Sequence, residues 1–87
     1  MKHNILVTGG AGFIGSYLVR YLLNKYPDYQ IINIDKLTYA GNLSNLKDVQ
    51  NKNNYTFIKC DICDFEKVNQ VFKNYQIDRV IHLAAEY

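Results

Sequence analysis

The stretch that decides the fold is TGGAGFIG, residues 8–15, which follows the short apolar run NILV. Four of its eight residues are glycine, whereas the whole chain has only five, so the glycine content is concentrated in one turn. Glycine is needed where the backbone takes a positive φ or where another molecule must approach without meeting a Cβ. The stretch therefore predicts a tight turn that a ligand approaches closely.

The spacing of these glycines, at positions 9, 10, 12 and 15, fits both G-x-G-x-x-G and G-x-x-G-x-x-G. Because the motif closes a predicted strand and opens a predicted helix, it indicates a dinucleotide-binding turn. Glycine suits the sharp bend, Gly12 the approach of a diphosphate, and Gly15 close packing of helix on strand; Gly9 is expected to contact the cofactor with them. The backbone N–H groups of Phe13 and Ile14 would point at phosphate oxygens. A glycine-rich turn without a ligand remains the alternative.

Apolar patterning predicts alternating strands and helices along the chain. The expected strands are residues 4–8, 30–35, 55–60 and 79–85, and the expected helices are residues 13–26, about 43–49 and a segment capped by Asp64. In the first helix, the apolar stripe is expected to contain Ile14, Leu18 and Leu22, broadened by Tyr17, Val19 and Tyr21. In the last helix, it is expected to contain Phe65, Val68, Phe72 and Tyr75.

This alternation predicts an α/β fold, namely the N-terminal half of a Rossmann doubly wound parallel sheet. Right-handed crossovers give four strands in the order 3-2-1-4, with helices on both faces. We expect residues 1–87 to form a partial NAD-binding domain, without the rest of the Rossmann fold or a substrate domain. The fourth strand would then be an exposed edge, which favours self-association.

An acidic residue at the end of the second strand supports NAD as the ligand. Asp35 lies 20 residues after Gly15, where a carboxylate accepts hydrogen bonds from the ribose hydroxyls. It would repel a 2′-phosphate, which favours NAD over NADP, although the adjacent Lys36 weakens that preference. Asp61 and Ile62 at the end of the third strand, and residues 83–85 at the end of the fourth, would flank the same crevice. Solvated strand-end acids are the alternative for Asp35 and Asp61.

The composition of the chain limits the classes of binding partner and the location that we expect. The net charge is +2, from 10 basic and 8 acidic residues mixed along the chain, which argues against nucleic acid. Apolar runs are too short for a membrane span, and the N-terminus does not resemble a signal peptide, so we expect a cytoplasmic protein. Cys60 and Cys63 are expected to be reduced structural residues, with no metal site, and His82 a hydrogen-bonded structural residue.

Three further segments carry a family resemblance: DKLTYAGNLSNL from Asp35, CDICD from Cys60 and VIHLAAE from Val80. With the glycine motif, they resemble the extended short-chain dehydrogenase/reductase family, in its dTDP-glucose 4,6-dehydratase branch. The resemblance covers the whole chain, but the chain covers only the beginning of such an enzyme. One departure is Tyr87, which stands where the branch has a serine on the substrate side of the site.

The resemblance implies NAD as cofactor, a nucleotide-sugar substrate and an NAD-dependent lyase reaction in deoxysugar synthesis. In that reaction hydride leaves the sugar C4, water is lost across C5–C6, and hydride returns at C6. The residues it implies for NAD contact are Phe13, Ile14, Asp35, Lys36, Leu37, Thr38, Asp61, Ile62, Leu83, Ala84 and Ala85.

No catalytic residue is assigned within the 87 residues, so we expect a chain of this length to be inactive alone. The family's Tyr-x-x-x-Lys pair and Asp–Glu pair find no convincing match. Tyr21 with Lys25 and Tyr55 with Lys59 have the Tyr-x-x-x-Lys spacing, but we interpret both as chance matches. Two alternative functions remain open: another extended short-chain enzyme such as a nucleotide-sugar epimerase, and a non-catalytic nucleotide-binding module.

Overall fold

The computed structural model describes residues 3–9, 13–36 and 46–83. Along the chain these form six elements, and the helices fall between strands as the sequence predicts. In order they are β1 (Asn4–Thr8), α1 (Phe13–Lys25), β2 (Gln30–Asp35), β3 (Tyr55–Lys59), α2 (Phe65–Tyr75) and β4 (Arg79–His82).

The four strands form one parallel sheet in the order β3-β2-β1-β4, which confirms the predicted fold class and strand order. In the register, Thr8 of β1 pairs with Ile34 of β2 and His82 of β4. Asp35 at the end of β2 pairs with Lys59 of β3. The carboxyl ends of all four strands therefore lie along the same edge of the sheet, called the carboxyl edge below.

Two apolar layers cover the central strands because alternate side chains of a strand point to opposite faces. Ile5 and Val7 of β1 pack in the cluster that contains the buried side of α1. Leu6, between them, packs on the other face, in the cluster that contains Val71 of α2. Burial on both faces explains why β1 and β2 are continuously apolar rather than alternating.

Helix α1 buries only part of the predicted stripe: Val19 and Leu22 are buried and Leu18 packs against them, but the other predicted residues are exposed. Ile14 is 74% exposed, and Tyr17 and Tyr21 are exposed too, whereas the buried positions are Gly15, Ser16, Val19, Leu22 and Leu23. These positions also recur every three to four residues, so helical periodicity alone fits either face. Compact residues on one face allow close contact with the sheet, which leaves the tyrosines outside. The helix ends at Lys25, one residue earlier than predicted.

Helix α2 begins after the predicted cap. The Asp64 side chain accepts a hydrogen bond from the Lys67 backbone N–H at 3.2 Å, which satisfies one of the unpaired donors of the first turn. The predicted apolar face is partly wrong, because Phe65 is 77% exposed and Phe72 is exposed as well. Val71 is the buried residue of the helix, with Val68 and Tyr75 partly buried beside it.

The segment between β2 and β3 differs from its prediction. The sequence predicts a helix over residues 43–49, of which 43–45 lie outside the described residues. In residues 46–53 the chain makes successive turns, closed by bonds from Val49 N to Leu46 O (3.0 Å) and from Lys52 N to Val49 O (3.1 Å). Leu46 and Val49 still bury their side chains in the α1 layer, so the turns keep the core contacts expected of a helix.

Strands β3 and β4 are shorter than predicted, ending at Lys59 and His82. β4 lies at one edge of the sheet and is largely exposed; Val80 retains 51% of its accessible surface. In the described ranges, no helix has the length and apolar character needed to cross a membrane.

Candidate cofactor-binding site

The carboxyl edge brings together four segments that are distant in sequence. The Gly9 N–H donates to Ile34 O at 3.0 Å, and the Cys60 N–H donates to Asp35 O at 3.1 Å. On the other side, the Leu83 N–H donates to Thr8 O at 2.9 Å. The edge therefore runs from the turn after β3, past Asp35 and Gly9, to Leu83 after β4.

The glycine turn begins with a backbone that only glycine adopts readily. Gly9 has φ 76°, where a Cβ would clash with the following carbonyl oxygen. Helix α1 begins four residues later at Phe13, and no acidic side chain lies in its first turn. The positive end of the helix dipole therefore faces this edge without a carboxylate from its first turn to oppose an anion.

Asp35 lies beside this turn. It is partly buried at the end of β2, and the residue before it accepts the hydrogen bond from Gly9. Lys36, which follows it, is exposed. The structure thus places a carboxylate next to the glycine turn, which is the arrangement needed to hold a ribose whose diphosphate lies on the turn.

Asp61 is held in a turn that follows β3. Its Oδ1 accepts a hydrogen bond from the Cys63 N–H at 2.9 Å, and its carbonyl accepts one from the Asp64 N–H at 2.9 Å. The bond from Cys63, together with the positive charge of Lys36, keeps the pKa of the Asp61 carboxyl below its ordinary value. Asp61 therefore stays ionised at neutral pH as a fixed acceptor.

A shallow cavity of about 320 Å³ opens beside Asp61. Three lysines and two aspartates line it together with a cysteine: Lys36, Lys59, Lys67, Asp61, Asp64 and Cys60. The Lys67 Nζ donates to Lys59 O at 2.8 Å and so links α2 to the end of β3. Two of the lining residues neighbour Asp35: Lys36 follows it in the chain, and the Cys60 N–H donates to its carbonyl oxygen.

A family model described as GDP-mannose 4,6 dehydratase matches residues 6–87, which is nearly the whole chain. The chain belongs to this family. Its fold superposes on those of dTDP-glucose 4,6-dehydratases that were solved with NAD bound.

Curated relatives and solved structures agree on the branch. The dTDP-glucose 4,6-dehydratase of Haemophilus influenzae is 58% identical over 83 residues, which are 95% of this chain but 24% of that protein. The dTDP-glucose 4,6-dehydratase of Bacillus anthracis, solved in complex with NAD, superposes with a TM-score of 0.95 at 50% identity, over 97% of this chain and 27% of that one. The predicted resemblance is confirmed, and the chain spans about a quarter of the length of these relatives.

A UDP-glucose 4-epimerase of Thermotoga maritima, solved with UDP-glucose, is also similar. Its TM-score is 0.81 at 40% identity, over 95% of this chain and 24% of that one. This chain therefore shares its fold with an epimerase as well as with the dehydratases. Sequence identity favours the dehydratases among the structures compared.

Several predicted cofactor residues lie outside the described residues. These are Gly12, Leu37, Thr38, Ala84 and Ala85. Phe13 begins α1. The described ones lie in two places. Ile14 and Gly15 lie in the first turn of α1. The others lie at the ends of strands β1 to β4 along the carboxyl edge: Gly9, Asp35, Lys36, Asp61, Ile62 and Leu83. Their contact with NAD stays a prediction.

The two Tyr-x-x-x-Lys matches lie away from this arrangement. Tyr21 is eight residues along α1 from its start, about 12 Å along the helix axis, and Lys25 Nζ lies over its ring at 5.8 Å. Tyr55 opens β3 at the opposite edge, where its hydroxyl accepts a bond from Asn33 at 3.2 Å and burial raises its pKa. Neither tyrosine has its lysine beside it at the carboxyl edge.

The cysteines and His82 have local structural contacts. Cys60 is buried and Cys63 exposed, both as free thiols, and burial raises the pKa of Cys60. His82 lies on the exposed edge strand, where its Nδ1 is 2.6 Å from Thr8 Oγ1. Across the described ranges, no group of three or more potential ligand side chains is placed to hold a metal ion.

Thr8 was missed by the sequence analysis as a side chain of the site. Its hydroxyl contacts His82 and also accepts a hydrogen bond from the Leu83 N–H at 3.1 Å. No local pattern identifies this contact, because it depends on the pairing of β1 with β4, more than seventy residues apart. The only available signal was the position of Thr8 directly before Gly9.

Proposed function

We propose that residues 1–87 form the NAD-binding part of a dTDP-glucose 4,6-dehydratase. The single observation that carries the proposal is the hydrogen bond from Gly9 N to Ile34 O. It fixes the glycine turn next to Asp35, so one ligand can contact both. A diphosphate on the turn with a ribose on the carboxylate is the arrangement that dinucleotides require.

Each described residue has a separate binding task in this proposal. The first backbone N–H groups of α1 bind the diphosphate, and Asp35 accepts hydrogen bonds from the adenosine ribose hydroxyls. Asp61, held by Cys63, accepts from the adenine amino group. Asp35 also disfavours a 2′-phosphate through charge repulsion, so NAD is preferred over NADP despite the nearby lysine.

When bound, NAD supplies the acceptor for the hydride that leaves the sugar. This chain's residues bind and orient the adenosine and diphosphate parts. For the chemical step, the family resemblance implies a tyrosine, a lysine and two acidic residues, and these have no match in the 87 residues. We therefore propose that a polypeptide of these residues binds NAD without turning over a nucleotide sugar. In a protein with the full family length, the proposed substrate is dTDP-glucose.

Two finer expectations belong to the same proposal. Free Cys60 and Cys63 suit a reducing compartment, which supports a cytoplasmic location. The exposed β4 edge, with Val80 half exposed, supports self-association of a polypeptide of this length through strand pairing. Sedimentation velocity over a range of concentrations tests the second point: a concentration-independent monomer would contradict it.

Calorimetric titration of the 87-residue polypeptide with NAD and with NADP tests the binding. We expect saturable NAD binding and NADP binding at least about tenfold weaker, a difference of 1.4 kcal/mol. A parallel assay with dTDP-glucose and NAD is expected to give no 4-keto sugar. Absence of NAD binding would contradict the proposed function. Formation of 4-keto product would contradict the proposal that these residues bind NAD without turning over a nucleotide sugar. NAD binding by the chain, combined with epimerised sugar from a full-length protein, would favour the epimerase alternative.

A further inference from the structure

The side chain of Thr8 joins the ends of two strands at the glycine turn. Its Oγ1 lies 2.6 Å from Nδ1 of His82 and accepts a hydrogen bond from the Leu83 N–H at 3.1 Å. The same N–H also lies 2.9 Å from the Thr8 carbonyl oxygen, so Leu83 is held to Thr8 at two points. We call the contacts of Thr8 with His82 and Leu83 the β1–β4 bridge.

The bridge lies directly against the positive-φ residue. Gly9 follows Thr8, and its N–H is held by Ile34 of β2 at 3.0 Å. The start of the turn is therefore held from both neighbouring strands: β2 holds Gly9 through backbone atoms, and β4 holds Thr8 through its carbonyl oxygen and its side chain. Of these contacts, only those of the Thr8 side chain depend on residue type, since a backbone bond survives most substitutions.

His82 belongs to neither apolar cluster of the described residues, so its contact with Thr8 is polar rather than part of the core packing. It is exposed on the edge strand, whereas Thr8 is 4% exposed. An exposed imidazole loses conformational entropy when it is fixed by a short hydrogen bond. The contact fixes the orientation of the Thr8 hydroxyl, and this hydroxyl accepts the hydrogen bond from the Leu83 N–H.

We propose that Thr8 and His82 are positioning residues for dinucleotide binding, because their bridge fixes the glycine turn and Leu83 before the ligand arrives. This inference rests on the proposed function and extends it to two residues outside the predicted contact set. A pre-ordered site binds more tightly because less freedom is lost on binding. Loss of the bridge should therefore weaken NAD binding while leaving the fold intact.

A matched pair at His82 tests the bridge in the 87-residue polypeptide. His82→Asn keeps a polar atom near the position of Nδ1, and the amide can serve as donor or acceptor; His82→Gln places its polar atoms nearer the position of Nε2. Thr8→Ser and Thr8→Val form a second pair, with and without the hydroxyl. NAD affinity is measured by calorimetry, and the thermal midpoint of unfolding is measured for every variant.

We expect His82→Gln and Thr8→Val to bind NAD about threefold to tenfold more weakly, as for the loss of one hydrogen bond. The NAD affinities of His82→Asn and Thr8→Ser should stay within about twofold of that of the unsubstituted chain. The thermal midpoints of both His82 variants should match. If the unsubstituted chain binds NAD and the Gln variant binds it equally well, the proposed role of the bridge is wrong, while the proposed function stands. If the unsubstituted chain does not bind NAD, the proposed function fails with it. If Thr8→Val does not fold, the exposed His82 pair decides.

Discussion

The two edges of the same sheet are built in different ways. At the amino edge, where the strands begin, polar side chains bond to the chain itself: His3 Nδ1 contacts Asp78 Oδ2 at 3.2 Å, and Asn4 Nδ2 donates to Gln76 O at 3.3 Å. The His3 ring also packs edge-on against Tyr29, with centroids 4.9 Å apart. These contacts close the amino edge with groups from its own segments.

At the carboxyl edge the strands end in a glycine with positive φ, a partly buried carboxylate and a turn beside a cavity. Gly9 and Asp35 belong to neither apolar cluster of the described residues. Polar groups bond to the chain at both edges, but the glycine turn and the cavity lie at the carboxyl edge, where the proposed function places the ligand. In open parallel sheets this is the edge that binds ligands.

The largest expected effect follows from Gly9→Val. A β-branched residue at φ 76° costs roughly 1–2 kcal/mol of folding stability or forces the turn to rearrange, so NAD binding should fall below detection. The matched variant at the amino end of the same strand is Asn4→Ala, which removes one exposed hydrogen bond and should leave binding unchanged. Calorimetry with NAD and urea unfolding measure both. Tight NAD binding by the valine variant would show that the turn is not the binding element.

A carboxylate at each edge provides the second comparison. Asp35→Ala should weaken NAD binding about tenfold to hundredfold, since a hydrogen bond to a charged group contributes about 1.5–3 kcal/mol. Asp78→Ala removes the exposed contact with His3 and should leave NAD affinity unchanged. Equal affinities for the two variants would mean that the edges do not differ in function.

A smaller effect concerns acid titration of Asp61. Because the Cys63 N–H and Lys36 lower the pKa of this carboxyl in the folded chain, its ionised form stabilises the fold at pH values above its unfolded pKa. That contribution should be lost as the pH falls through the folded pKa, below the ordinary value of 3.8. Carbon-detected NMR titration gives the midpoint, and Asp61→Asn should remove this part of the acid sensitivity of unfolding. A midpoint at or above 3.8 would contradict the arrangement.

Sequence predicted the fold where the deciding information is local. The bounds of β1 and β2 match exactly, because continuous apolar runs between polar residues mark strands buried on both faces. Asp64 was identified as a cap because its contact lies three residues away. The carboxyl-edge location of Asp35 also followed, since parallel strands align their ends.

The errors arose where tertiary contacts decide. Ile14 and Tyr17 fit the same helical periodicity as the correctly predicted Leu22, and only the packing of the helix on the sheet decides that they stay exposed. Phe65 was assigned to the core of α2 by its apolarity, although its position in the first turn leaves it exposed. The bond between Thr8 and His82 needs the β1–β4 register, which no local pattern contains.

One measurement tests the central claim most directly: ¹H–¹⁵N NMR spectra of the 87-residue chain during titration with NAD. We expect the amide signals of Gly9, Asp35, Asp61 and Leu83, all at the carboxyl edge, to shift together and to saturate at one ligand per chain. Signals at the amino edge, including Asp78, should stay in place. Shifts confined to the amino edge, or none at saturating NAD, would contradict the account.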